Sequence, residues 1–121
     1  MRLYKEFHFD AAHFLPTAPE GHPNRRVHGH SFRVVLWLEG KVDKASGLLM
    51  HFEHFEQEIE RFRVEIDHRM LNDIKGLENP TLELITMWLW DRLKPTLPLL
   101  TRIEVHRASC NEGCVYDGPD A

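Results

Sequence analysis

Val27-His28-Gly29-His30-Ser31-Phe32-Arg33-Val34-Val35-Leu36-Trp37-Leu38-Glu39 is the strongest strand-like run in the chain. Branched and aromatic residues dominate it, as expected for a half-buried pleated surface. Alternate side chains of a strand share a face, so His28 and His30 point the same way, and Phe32, Val34, Leu36 and Leu38 continue that face. Val35 and Trp37 make the opposite face partly apolar as well, and a sheet of that kind needs a cover on each side. Gly29, between the two histidines, leaves room for a metal ion or ligand.

Working outward, Leu3 to Phe9 reads as a first strand, with Leu3, Phe7 and Phe9 on one side and Tyr4, Glu6 and His8 on the other. A further extended segment ends at His13. In His51 to Ile66 the residues Phe52, Phe55, Ile59, Phe62 and Ile66 recur at three- and four-residue intervals, which predicts an amphipathic helix. A second helix is expected over Thr81 to Lys94, between Pro80 and Pro95. Thr101 to Arg107 and Cys114 to Tyr116 supply a closing hairpin around Asn111-Glu112-Gly113. The order strand, strand, helix, helix, strand, strand predicts an α+β fold: a four-stranded antiparallel sheet with two helices on one face. The other face is left to be buried against copies of the chain.

His28, His30 and His13 together form a candidate metal shell. Three neutral imidazoles suit zinc and leave a fourth tetrahedral position open, the pattern of a catalytic rather than a structural site. Histidine sites also take other first-row divalent ions. The competing reading makes His28 and His30 polar residues at a strand start.

The 121 residues amount to one domain, residues 1–121, with 42% hydrophobic and 28% charged residues, an ordinary globular composition. A net charge of −4 argues against a nucleic-acid surface. No apolar stretch reaches the length of a membrane span and no signal-peptide core is present, so a cytoplasmic protein is expected. Cys110 and Cys114 flank the hairpin turn and could face each other across it, as free thiols in a reducing compartment or, in the minority reading, as a metal pair or a redox disulfide.

Phe7-His8-Phe9-Asp10-Ala11-Ala12-His13, Glu20-Gly21-His22-Pro23-Asn24-Arg25-Arg26 and Val27-His28-Gly29-His30-Ser31-Phe32 belong together. With Gly47-Leu48-Leu49-Met50, Ile66-Asp67-His68, Leu71-Asn72-Asp73, Leu77-Glu78-Asn79-Pro80-Thr81, Trp88-Leu89-Trp90-Asp91 and the Cys110 to Tyr116 hairpin, they resemble the 6-pyruvoyl-tetrahydropterin synthase superfamily. The nearest branch is the bacterial 6-carboxy-tetrahydropterin synthases of queuosine (7-deazaguanine) biosynthesis. The resemblance spans nearly the whole chain. It implies a tunnelling fold whose sheets join into a barrel in a homo-oligomer, commonly trimers paired into hexamers, with active sites at subunit contacts.

The resemblance further implies a zinc-dependent lyase held together by His13, His28 and His30. Its substrate would be the small-molecule pterin 7,8-dihydroneopterin triphosphate, with loss of acetaldehyde and triphosphate. Asp67 and His68 match the proton-transfer pair, a carboxylate orienting an imidazole, which requires a turn because adjacent strand residues point apart. Thr81 and Glu83 match residues that hold the pterin ring or support it, and Thr81 also reads as a helix N-cap. Arg25 and Arg26 either face the triphosphate or stand in solvent.

Three positions depart from the family pattern. Asn24 stands where the family has a cysteine base, and an amide has no usable basicity; His22, two residues away, is the first candidate to replace it, or else a solvated loop histidine. Ala108 stands where the family has the glutamate that pairs with the pterin. His51 replaces an aspartate at the opening of the first helix, a structural position. A divergent paralogue that binds zinc and a pterin-like ligand without the standard reaction is therefore the alternative reading.

Overall fold

A computed structural model describes residues 1–120. Strand β1, Arg2–His13, pairs antiparallel with β2, His28–Glu39, in unbroken register from Arg2 opposite Glu39 to His13 opposite His28. The first strand thus runs four residues past Phe9. Asp10, Ala11 and Ala12 are weak strand formers that the ladder with β2 carries along.

Helix α1, Phe52–Ile66, follows, and then the two-residue strand β3, Arg69–Met70, lies parallel to Ala11 and Ala12 of β1. Helix α2, Leu82–Leu93, leads into β4, Leu100–Arg107, and β5, Glu112–Tyr116. The sheet order is β3-β1-β2-β4-β5. The sheet therefore has five strands rather than four and one parallel pairing, because a two-residue strand is too short to carry periodicity. It is open at both edges.

Both helices cover one face. Phe55, Ile59, Phe62 and Ile66 of α1 and Leu82, Ile85, Leu89 and Leu93 of α2 are buried there. They meet Phe7, Phe9, Ala11, Phe32, Val34, Leu36 and Leu38 from β1 and β2. Phe9 and Phe32 stack at 4.8 Å between centroids, and Phe7 meets Phe62 edge-on at 5.6 Å. Each such ring buries enough area to stabilise the fold by about 2–3 kcal/mol relative to exposure. His13, His28 and His30 sit at the end of this same face.

The opposite face is more polar than the sequence suggests. Arg33 pairs with Glu6, Ser31 donates to Asp10, and Glu104 accepts from both Trp37 and His106. Arg102 pairs with Asp117. Val35 is buried and the ring of Tyr4 lies against Trp37, so the apolar groups of this face are partly covered by their own neighbours.

At the hairpin, the turn is shorter on its far side than expected. Ala108–Cys110 forms a single 3-10 turn, Asn111 takes the left-handed conformation at φ 55°, and β5 already begins at Glu112. The two cysteines do not face each other: Cys110 is exposed in the turn, whereas Cys114 lies opposite Val105 and bonds Thr86 at 2.9 Å.

Candidate metal centre

His13 ends β1 directly opposite His28, and His30 lies opposite Ala11 one same-face step along β2. The strand period alone therefore brings three imidazoles together. Ring centroids are 4.6 Å apart for His13 and His28, 5.1 Å for His13 and His30, and 5.0 Å for His28 and His30. One ring nitrogen from each lies within 4.8 Å of the others.

Hydrogen bonds assign the nitrogens. His13 Nδ1 lies 2.9 Å from the Pro80 carbonyl and His28 Nδ1 lies 2.7 Å from the Arg26 carbonyl. A carbonyl only accepts, so each Nδ1 carries a proton, which makes Nε2 the lone-pair nitrogen of the neutral ring. Backbone carbonyls orient metal-binding histidines in the same way. His13 Nε2 and His30 Nε2 are buried without a partner, a cost the fold bears unless something binds them. Burial holds His13 down to about 4, helped by His28, His30 and Arg107 and opposed by the Pro80 bond. Burial likewise lowers His30, with Arg107 the next cause. Neutral rings with free Nε2 atoms fit a divalent cation.

Gly29 has a different role from the one its sequence position suggests. Strand alternation puts it on the face away from the imidazoles, where an added Cβ would come 3.3 Å from the Ala11 carbonyl oxygen. It permits close approach of β1 and β2 and does not make space for an ion.

Asp67 and His68 follow α1, and His68 makes the turn the pair requires by adopting φ 58°. A non-glycine residue there is strained, and its surroundings fix it. The His68 amide donates to the Asp10 carbonyl, Asp67 Oδ1 accepts the Asp10 amide at 2.9 Å, and Asp67 Oδ2 lies 3.0 Å from His68 Nδ1. The Asp10 amide, above all, keeps the Asp67 carboxyl below its usual range. His68 is 77% exposed and shares an open cleft of about 590 Å³ with His30, Ser31 and Asp10.

Of the other sequence-derived positions, Thr81 has a link to this centre. Thr81 caps α2, its hydroxyl accepting the Leu84 amide at 3.1 Å, and the adjacent Pro80 carbonyl is the one that orients His13. Glu83 lies in the first turn of α2 and lines a small cavity with Thr86 and Cys114. Asn24 sits in a 3-10 turn, Pro23–Arg25, and its amide donates to His22 Nδ1 at 3.0 Å. His22 thus caps that turn with one nitrogen and keeps Nε2 unengaged. Arg25 donates to the Ala18 carbonyl inside its own loop, and the Arg26 side chain is exposed. His51 is the N-cap of α1 but makes no capping bond.

Three contributors lie in segments that the sequence marks only as motif or strand, with no role at this centre. Asn72 clasps the chain just past His13, accepting the Phe14 amide at 3.0 Å and donating to the Phe14 carbonyl at 2.8 Å. Cys110 Sγ comes within 4.0 Å of His30 Nδ1. Arg107 makes its charge felt at both His13 and His30.

Residues 2–119 match the family described as 6-pyruvoyl tetrahydropterin synthase. The chain belongs to this family. A 6-carboxy-5,6,7,8-tetrahydropterin synthase of Synechocystis is 37% identical over 97% of this chain and 93% of its own length. A dihydroneopterin monophosphate aldolase of Pyrococcus furiosus is 33% identical over 93% of this chain and 90% of its own. The solved 6-pyruvoyl tetrahydropterin synthase of Caenorhabditis elegans superposes with a TM-score of 0.87 at 22% identity, covering 98% of this chain and 95% of that one. The family fold is therefore the tunnelling fold, here as one open five-stranded sheet backed by two helices.

Proposed function

We propose that this protein is a zinc-dependent lyase of the 6-carboxy-tetrahydropterin synthase type, acting on 7,8-dihydroneopterin triphosphate in queuosine biosynthesis. The observation that carries the reading is the triad of converging imidazoles, with Nδ1 of His13 and His28 tied to carbonyls and Nε2 of His13 and His30 left unpartnered. The match to the Synechocystis 6-carboxy-5,6,7,8-tetrahydropterin synthase over nearly the whole chain supports the reaction class.

His13, His28 and His30 would hold the divalent ion, which would supply Lewis acidity toward side-chain hydroxyls of the substrate and offset the negative charge left by proton removal. The chain provides the proton path. Asp67 bonds the exposed His68 imidazole, which shares with His30 the open cleft at this end of the sheet, and this pair moves the proton. His22 serves as a further proton acceptor through Nδ1 once that nitrogen releases the Asn24 amide, because the bond leaves the neutral ring's proton on Nε2. Thr81 and Glu83 at the start of α2 hold the pterin ring. The open sheet edges support assembly into a homo-oligomeric barrel of trimers or hexamers, in the cytoplasm.

The test is release of acetaldehyde from dihydroneopterin triphosphate by the zinc-loaded protein, with Asn24→Cys, His68→Ala and His22→Ala beside it. Turnover by the wild type, lowered about 100-fold or more in His68→Ala, is the expected result. Full activity in His22→Ala removes that residue from the proton path. Turnover by Asn24→Cys alone would instead make the chain a divergent paralogue, and no turnover by any of them would overturn the lyase reading.

A further inference from the structure

Among the described residues, three buried side-chain nitrogens lack a hydrogen-bond partner: His13 Nε2, His30 Nε2 and Arg107 Nε. The first two belong to the triad. Arg107 lies on β4 directly opposite Phe32, whose ring touches those of His13 and His30, so the guanidinium shares their sheet face. Its side chain is only 18% exposed. Glu112, directly opposite on β5, takes a terminal nitrogen at 2.8 Å. The Nε donor is left over.

We propose that Arg107, braced by Glu112, holds an anionic oxygen of the ligand beside the histidine triad. Two physical arguments lead there. A buried guanidinium N–H without an acceptor is costly, and an oxyanion satisfies it with a charge-assisted bond. A divalent ion in the triad would also place a second positive centre close to Arg107, with Glu112 as the paired carboxylate. An anionic oxygen bound alongside removes that repulsion. The unassigned function of Arg107 is thus selection for a ligand that carries a phosphate or a carboxylate next to the oxygens facing the triad. This rests on the reading that the triad holds a divalent ion.

The experiment uses the full-length zinc-loaded protein, titrated calorimetrically with inorganic phosphate and separately with acetate. Saturable binding of phosphate assigns a phosphate ester as the group, and of acetate alone a carboxylate. In either case Arg107→Gln should weaken that anion about tenfold or more while zinc binds as tightly as before or more tightly, and Arg107→Lys should restore part of the loss. Glu112→Gln, at a half-exposed position that tolerates change, should act oppositely: the anion tighter, zinc weaker. Equal anion affinity in Arg107→Gln and wild type, parallel losses in Arg107→Gln and Glu112→Gln, or no anion binding to the zinc-loaded wild type would overturn the proposal. No pterin is present in these titrations, so their failure leaves the lyase reading standing. Failure of the wild type to bind zinc would instead remove the reading beneath both.

Discussion

His13 is fully buried, and its ring is satisfied on one side only, by the Pro80 carbonyl. That single carbonyl fixes which nitrogen faces the other two histidines, a detail that spacing cannot supply because Pro80 lies 67 residues away. Glu104 is a half-buried acid on the far face. Burial raises its carboxyl, but bonds from His106 and Trp37 outweigh this and leave it lowered. A group whose native pKa is depressed stabilises the fold above its ordinary range and loses that contribution as pH falls through the native value. Glu104→Gln should therefore lower stability by about 1–2 kcal/mol at pH 7, and the gap should narrow in acid as the wild-type carboxyl protonates. Urea unfolding at pH 7 and in mild acid checks this; a gap independent of pH would show that the charge contributes nothing. Glu104 and Arg107 were both present in a stretch read simply as strand. Their roles depend on cross-strand neighbours, Trp37 and Glu112, that only the register reveals.

At the level of elements, the first helix and the long second strand were legible from apolar spacing and the second helix from its flanking prolines, although its buried side is Leu82, Ile85, Leu89 and Leu93, with Leu84 exposed. Strand β3 was not, being two residues set by the left-handed His68 and by docking against Ala11 and Ala12. The Asp67–His68 pair was found by resemblance, and the turn it needed is that same residue. Helix α1 shows what the sequence departure at its start costs. His51 has the extended backbone of an N-cap, φ −72° and ψ 128°, yet its side chain accepts nothing from the first turn. An aspartate there accepts an orphan amide and complements the helix dipole. His51→Asp should raise stability by about 1 kcal/mol, read as an increase in the urea midpoint with an unchanged slope. A decrease would mean that the ring is engaged in the assembled protein. Thr81, which already caps α2, sets the comparison.

Over the whole molecule, one sheet face is a packed apolar core that ends in three histidines, and the other is a self-satisfied polar surface. The first follows from alternation in Val27 to Glu39; the second was hidden because Glu6 and Arg33 pair across two strands and Arg102 finds Asp117 beyond the last one. Filling the histidine site ties β1 to β2 and, through Pro80, to the start of α2, so ligation should stabilise the fold as a unit. Zinc at about 100 times its dissociation constant adds about 2.7 kcal/mol if only the native state binds it. The most direct measurement is zinc K-edge absorption on the protein loaded with one equivalent, with His13→Ala as control. Three imidazole nitrogens at about 2.0–2.1 Å with one further light ligand, lost in His13→Ala, is the predicted result. A sulfur shell near 2.3 Å from Cys110, or zinc bound equally well without His13, would contradict it.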